Sequence, residues 1–417
     1  MSVISVAEIE NASGVLTVGL RDILTPLAAD RARELGIRIE RAASAMPKVS
    51  ATTASKVALG APKSQRSVSG SAAIQPGALS GALYRRGAPV PAPLRVDDGA
   101  RSAAVPVADT RPKVAVVGAG HVGAMTALRL SETSLFSRTM LIDIVPGLAA
   151  GLALDMWHSS GLRGFTTKIE GSADLSALEG AEFVVVTAGR PRQPGMSRTD
   201  LTAVNAEIIG GVAESIRRYA PRAVVVVVTN PLEEMTHLMA KKTGFPPQRV
   251  IGMAGVLDSA RFCSLIALTG VARPQDVKAI ALGSHGAEMV IPLSQATANG
   301  QPLEQLLPRE QLSAIIERAR DSGAEVVKLL QKGSAYFSPA ESAASMVVAM
   351  VRGSDSTIAA CVQSAGAYGI LDTRIGLPVR LNREGVKEII KLPLRGDELA
   401  ALGDAARSIA ARIGELG

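Results

Sequence analysis

The chain has 417 residues, 47% of them hydrophobic, and a formal net charge of +7, long enough for two or three domains and a sizeable core. Aromatic residues make up 3%, too few for the stacking platforms of a single-strand nucleic-acid binder, and apolar runs such as Ala223 to Val228 are strand-sized rather than membrane-spanning. Two cysteines, Cys263 and Cys361, give neither a disulfide framework nor a metal-ligand spacing, and the first residues carry no basic n-region or apolar h-region, so a reducing, cytoplasmic setting is expected.

Residues 1–45 read as a small amino-terminal module whose clearest element is a helix over 25–36. Thr25 suits its N-cap, Pro26 its first turn and Gly36 its left-handed stop, with Ala28, Ala32 and Leu35 on one face. So short a piece is expected to dock on a partner rather than hold a core of its own. From 46 to 111 the composition shifts to Ala, Ser, Pro and basic residues without sustained periodicity, the pattern of a flexible tether. Residues 46–113 hold 10 basic against 3 acidic side chains, whereas 114–417 hold 30 against 29, so the excess positive charge lies in the tether. It reads as a solvated linker, not as a grip on nucleic acid or membrane. A brief apolar stretch at 74–86, where Leu79, Leu83 and Tyr84 share a helical face, reads as residual linker hydrophobicity.

Beyond Lys113, strand-like runs at 113–118, 138–143, 182–187 and 223–229 alternate with helical stretches, which predicts an α/β fold with a doubly wound parallel sheet over 112–256. Near Gly255 the rhythm changes to longer helices and an antiparallel-looking pair around 278–283 and 288–293. A second, mixed α+β domain over 257–417 is expected there.

The first strand runs into Gly118-Ala119-Gly120-His121-Val122-Gly123, and the second ends on Asp143. This is the arrangement of a dinucleotide-binding βαβ unit. Gly118 takes a tight turn, Gly120 admits a pyrophosphate to the backbone, and Gly123 lets helix and strand pack closely. The helix starting near His121 aims its free N–H groups at the phosphates. Asp143 accepts hydrogen bonds from a ribose and repels a 2′-phosphate, which favours NAD over NADP.

Further along stand Thr187-Ala188-Gly189-Arg190-Pro191-Arg192-Gln193-Pro194-Gly195-Met196-Ser197-Arg198, Val228-Thr229-Asn230-Pro231, Leu257-Asp258-Ser259-Ala260-Arg261-Phe262, Gly283-Ser284-His285-Gly286 and Gly385-Val386-Lys387-Glu388-Ile389-Ile390-Lys391-Leu392. With these motifs, in this order and spacing, the chain from about Lys113 to Leu416 resembles the lactate/malate dehydrogenase family, in particular its lactate-dehydrogenase-like malate dehydrogenases. The resemblance implies a Rossmann domain followed by a catalytic domain, NAD as cofactor, and a homodimer or homotetramer.

The residue types suit that chemistry. Oxidising a secondary alcohol needs a base for the hydroxyl proton, and His285 titrates in the right range. Asp258 would hold the other ring nitrogen and stabilise the imidazolium, as a triad acid does. Arg261, three residues on, offers a planar fork for the substrate's C1 carboxylate. The segment 190–198, with Pro, Gly and three arginines between a strand and a helix, reads as a mobile lid. By resemblance, Arg198 polarises the reacting carbonyl and Arg192 selects the substrate side chain. An arginine there matches a second carboxylate, so malate and oxaloacetate are expected and monocarboxylates rejected. Asn230 corresponds to the residue that hydrogen-bonds the substrate oxygen; Val228, Thr229, Asn230 and Asn205 correspond to cofactor contacts.

Two features depart from the family. Ala287 and Glu288 follow His285-Gly286 where an aspartate commonly comes next, which predicts a weakened local hydrogen-bond network. The amino-terminal addition is also unusual, and its stretch 23–37 is similar to short pieces of enzymes associated with bacterial microcompartments, so a shell or protein partner is one expectation for it. The competing readings are a dehydrogenase of lactate or another 2-hydroxy acid, and a dehydrogenase-fold scaffold without activity.

Overall fold

The computed structural model describes residues 109–191, 197–331 and 333–416, together with parts of 3–41. Its contacts divide the chain into two compact units, 1–99 and 100–417. Residues 46–108 of the tether, with its apolar stretch at 74–86, lie outside the described residues; its last residue, Arg111, is described and donates to the Ser134 carbonyl at 3.0 Å.

In the first unit, β1 (Val3–Ile4) pairs in parallel with β3 (Ile23–Leu24), and β2 (Val15–Val18) with β4 (Arg38–Arg41). These strands are additions to the sequence reading, which anticipated a helix. Of that helix, Arg31, Ala32 and Glu34 are described, and the chain leaves it at Gly36 with φ of 68°. Ala32 is buried as expected, but Leu35 is 46% exposed. It sits in the terminating turn, and Ile37 packs instead against Ile9, Val18 and Ala32.

The second unit is built on an eleven-stranded sheet. Its first six strands are β5 (Lys113–Val117), β6 (Arg138–Ile142), β7 (Lys168–Ser172), β8 (Phe183–Val186), β9 (Val224–Val227) and β10 (Val250–Gly252). They run parallel in the order β7-β6-β5-β8-β9-β10, the doubly wound order in which winding reverses between β5 and β8. The Val-rich runs of β5, β8 and β9 are buried along their length, as parallel strands covered by helices on both faces must be. The helices that matter for the site are α1 (His121–Glu132), α2 (Leu148–His158), α3 (Arg198–Tyr219), α4 (Leu232–Thr243) and α5 (Gly255–Ala267).

The sheet continues through antiparallel strands into the second half of the unit. Here lie β11 (Val277–Lys278), β12 (Leu282–Gly283), β13 (Met289–Val290), β14 (Thr297–Ala298), β15 (Gln301–Pro302), β16 (Ile358–Gln363), β17 (Arg374–Asn382) and β18 (Gly385–Ile389). Gly252 of β10 pairs with Cys361 of β16, and β17, β12 and β13 follow. Buried Arg374 reaches back across this junction to donate to the Val250 carbonyl at 2.7 Å. The helices of this half are α6 (Arg309–Leu330), α7 (Phe337–Arg352) and α8 (Gly396–Gly414). The expected pair at 278–283 and 288–293 is thus narrower than the sequence implied. Leu282 and Gly283 pair with Val290 and Met289, whereas Val277 and Lys278 join β14 and β15 in a separate sheet. Between the two, the Ala281 N–H donates to Ser259 Oγ of α5 at 2.8 Å, which takes that residue out of the ladder. Among the described residues no helix is long and apolar enough to cross a membrane.

Candidate active site

The carboxyl ends of β5, β8 and β9 open on a cleft of about 470 Å³ whose wall includes Gly120, His121, Asn230, Arg261 and His285. Its floor is the glycine turn. Gly118 has φ of +103°, and a Cβ there would lie 2.6 Å from the Ala188 nitrogen; a Cβ on Gly123 would lie 1.8 Å from the Gly118 carbonyl oxygen. At Gly120 a Cβ meets open space, so that face of the turn is left for a ligand. Asp143 closes the turn: one carboxylate oxygen accepts from the Ala119 N–H at 2.7 Å and the other from Val145 N–H at 3.0 Å. The first turn of α1 contains no acid and its N-cap makes no side-chain bond, so the positive end of the helix faces the cleft uncompensated. His121 opens α1 with its ring stacked on Tyr336, centroids 5.1 Å apart. These residues fit a dinucleotide: backbone donors at a helix N-terminus, a turn too tight for side chains, and an acid at ribose distance in sequence.

Above the floor, Thr229 Oγ1 donates to the Ala188 carbonyl at 2.7 Å, tying β9 to the loop after β8. Asn205 on α3 is buried, and its amide is committed to protein: Oδ1 accepts from Arg190 N–H at 2.8 Å, and Nδ2 donates to the carbonyls of Asn230 at 2.7 Å and Arg190 at 3.2 Å. Asn205 thus clamps the two segments that border the cleft. Asn230 itself is exposed and precedes a cis Asn230–Pro231 bond. Arg192 lies outside the described residues. Arg198 begins α3, which Ser197 and Asp200 cap reciprocally, with Asp200 N–H donating to Ser197 Oγ at 3.0 Å.

The second half of the unit supplies a histidine–aspartate pair. His285 follows β12 on a short loop and presents Nδ1 to Asp258 Oδ2 at 2.8 Å. Asp258, in the first turn of α5, is 4% exposed, and its other oxygen meets Arg261 Nη1 at 3.4 Å, one turn along the same helix. Arg261 also lines the wall of the cleft. Burial pushes the His285 imidazole down, but the Asp258 carboxylate, by charge and hydrogen bond, and the Glu233 charge outweigh it, so the ring titrates above its ordinary value despite Arg261. Burial lowers the Arg261 guanidinium, with Asp258 pulling the other way.

Three residues that the sequence did not single out complete the site. Glu233 of α4, 2% exposed, accepts from the His285 main-chain N–H at 2.7 Å. Arg412 of α8 donates to Glu234 of α4 and to Glu288 of the histidine loop, both at 3.1 Å. Glu288 also accepts from Ser284 Oγ at 2.8 Å. The weakened network expected around Ala287 is thus not what the described residues show. Burial raises the Glu288 carboxyl, while Ser284 and Arg412 more than offset it, and the group sits below its ordinary value. In sequence, Glu233-Glu234 reads as acids complementing a helix dipole, a signal that names no partner.

Comparison with known proteins identifies the family. The family model described as lactate/malate dehydrogenase, NAD binding domain, matches residues 112–252, and that described as lactate/malate dehydrogenase, alpha/beta C-terminal domain, matches 255–416. The malate dehydrogenase of Synechocystis sp. is 43% identical over 305 residues, which span 73% of this chain and 94% of that protein. Among solved structures, Cryptosporidium parvum malate dehydrogenase superposes with a TM-score of 0.71 at 36% identity, covering 73% of this chain and 99% of that one. The lactate dehydrogenase of the same organism, complexed with lactic acid and nicotinamide adenine dinucleotide, gives 0.70 at 34% identity over 73% and 98%. The chain belongs to the lactate/malate dehydrogenase family.

Proposed function

We propose that the protein is an NAD-dependent malate dehydrogenase, which interconverts (S)-malate and oxaloacetate. The observation that carries this reading is the 2.8 Å contact between His285 and Asp258 in a cleft shared with the glycine turn and Arg261. When bound, NAD supplies a nicotinamide ring that takes the hydride from C2 of malate. His285 takes the hydroxyl proton on Nε2, because Asp258 holds Nδ1 and fixes the tautomer. The imidazolium that results is stabilised by Asp258 and Glu233. Arg261 binds the C1 carboxylate through its planar fork, and Asn230 meets the C2 oxygen. Arg198 stabilises negative charge on that oxygen, worth about 3–4 kcal/mol if it resembles a single oxyanion donor. Arg192 pairs with the C4 carboxylate, which makes the substrate a dicarboxylate.

The test is the initial rate of NADH oxidation with oxaloacetate and with pyruvate. Strong preference for oxaloacetate, reversed or much reduced by Arg192→Gln, is the expected result. Preference for pyruvate identifies a lactate-type enzyme, and no turnover with either identifies a scaffold. The same reading takes the protein as a homodimer or homotetramer, checked by light scattering. It takes residues 1–45 as a docking piece whose deletion leaves kinetics unchanged and alters partner binding or location.

A further inference from the structure

The loop that carries His285 is short, and side chains hold its far end: Ser284 Oγ donates to Glu288 at 2.8 Å and Arg412 to the same carboxylate at 3.1 Å. The loop runs between two-residue strands β12 and β13, and Gly283 and Gly286 have φ of 83° and 154°, conformations that glycine adopts without strain. The Ser284 N–H to Glu288 carbonyl contact is long at 3.5 Å. Against this, the His285 main-chain N–H makes a short bond, 2.7 Å, to Glu233 Oε1 across 52 residues of sequence. Glu233 is almost fully buried on the first turn of α4, three residues after Asn230. One turn of chain therefore offers Asn230 to the cleft and a carboxylate to the histidine.

We infer that Glu233 is a positioning residue for His285: its buried carboxylate anchors the main chain of the histidine loop and adds a second negative charge, beside that of Asp258, to the surroundings of the imidazole. The ring's charged neighbours are Asp258 and Arg261 from α5 and Glu233 from α4. Glu233 in turn faces Glu234 on its own helix, His285 and, on β16, Cys361, which itself faces Arg374 of β17. Burial lifts the Glu233 carboxyl, while the charge and N–H of His285 pull it back part of the way. The N-terminus of α4 adds a favourable dipole to the ionised form. The kinetic part of this assignment rests on the proposed malate chemistry; the placement of the proton on His285 does not.

The test is histidine NMR on the full chain with imidazole-labelled histidine. There are four histidines, and the His285 resonance is assigned by its loss in His285→Asn. In Glu233→Gln, whose amide oxygen can still accept the main-chain N–H, the His285 midpoint falls by about one pH unit, the low end for loss of a charge within roughly 4–6 Å. The acid limb of kcat/KM for malate oxidation moves down with it. In Glu233→Asp the charge stays and the reach is lost, so the midpoint holds while kcat drops about tenfold. A His285 midpoint in Glu233→Gln within about 0.2 unit of the parent overturns the assignment, even if stability falls. If the midpoint moves but the parent protein turns over no oxaloacetate, the Glu233 assignment stands and the malate reading fails.

Discussion

Asp258→Asn removes one charge from the centre of the site and leaves its shape. The carboxylate is 4% exposed and meets His285 Nδ1 at 2.8 Å, so water screens the bond little. A hydrogen bond to a charged group in such a setting contributes about 1.5–3 kcal/mol. At about 1.4 kcal/mol per decade, losing it from the imidazolium side of the reaction slows turnover about 10- to 150-fold. The amide also offers an N–H to Nδ1, which moves the ring proton to Nε2, the atom that must receive one; neutralising a triad acid costs about 10⁴-fold by that route. A fall in kcat of about 10²- to 10⁴-fold is therefore expected, with a basic limb for oxaloacetate reduction that sets in at lower pH. The assay is the initial rate of NADH oxidation at saturating oxaloacetate, with NADH affinity by fluorescence as the control, since Asp143 and the glycine turn are untouched. A decrease of less than about threefold with unchanged NADH affinity would refute the relay.

Other substitutions probe the rest of the site. Gly123→Ala places a methyl 1.8 Å from the Gly118 carbonyl oxygen, so the turn must open, and NADH affinity falls by at least an order of magnitude in a fluorescence titration. Asn205→Ala breaks three hydrogen bonds that hold Arg190 and Asn230, a loss of about 1–3 kcal/mol, read as a lower melting temperature together with a raised KM for oxaloacetate. Arg412→Ala leaves Glu234 buried without its guanidinium and releases Glu288; about 2–4 kcal/mol of stability is lost in urea unfolding, discounted because Glu288 is a third exposed. His285 titrates above its ordinary value in the folded state, so its contribution to stability is complete below about pH 6.5 and is lost as pH rises through the folded value. The stability gap between the parent and His285→Gln accordingly narrows toward alkaline pH.

What the sequence revealed and what it hid follow from the range of the interactions. Gly118, Gly123 and Asp143 were legible because a turn and the acid at the end of the next strand are local features with a mechanical purpose. Strands β5, β6, β8 and β9 announced themselves as apolar, strand-like runs, though each is one to three residues shorter than its run. Strand β7 escaped notice because Lys168, Glu170 and Ser172 alternate with little apolar weight at the sheet edge, and β10 because three residues carry no period. The pairing of Asp258 with His285 was accessible through the chemistry the two residues share. Glu233 with His285, and Arg412 with Glu234 and Glu288, were not: their partners lie 52, 178 and 124 positions apart, and charged residues on helices carry no mark of whom they meet. Leu35 was misplaced because a helical face was extended into the turn that ends the helix.

The ladder from β10 into β16, braced by Arg374, makes the cofactor half and the histidine half one slab of hydrogen-bonded backbone. A shared ladder of this kind resists a swing of the two halves about the seam. Cutting the gene at the seam would strip two inner strands of their neighbours and bare raw edges at 250–252 and 358–363. Such fragments should stick to other chains rather than fold alone, which makes the pair inseparable as an engineering unit.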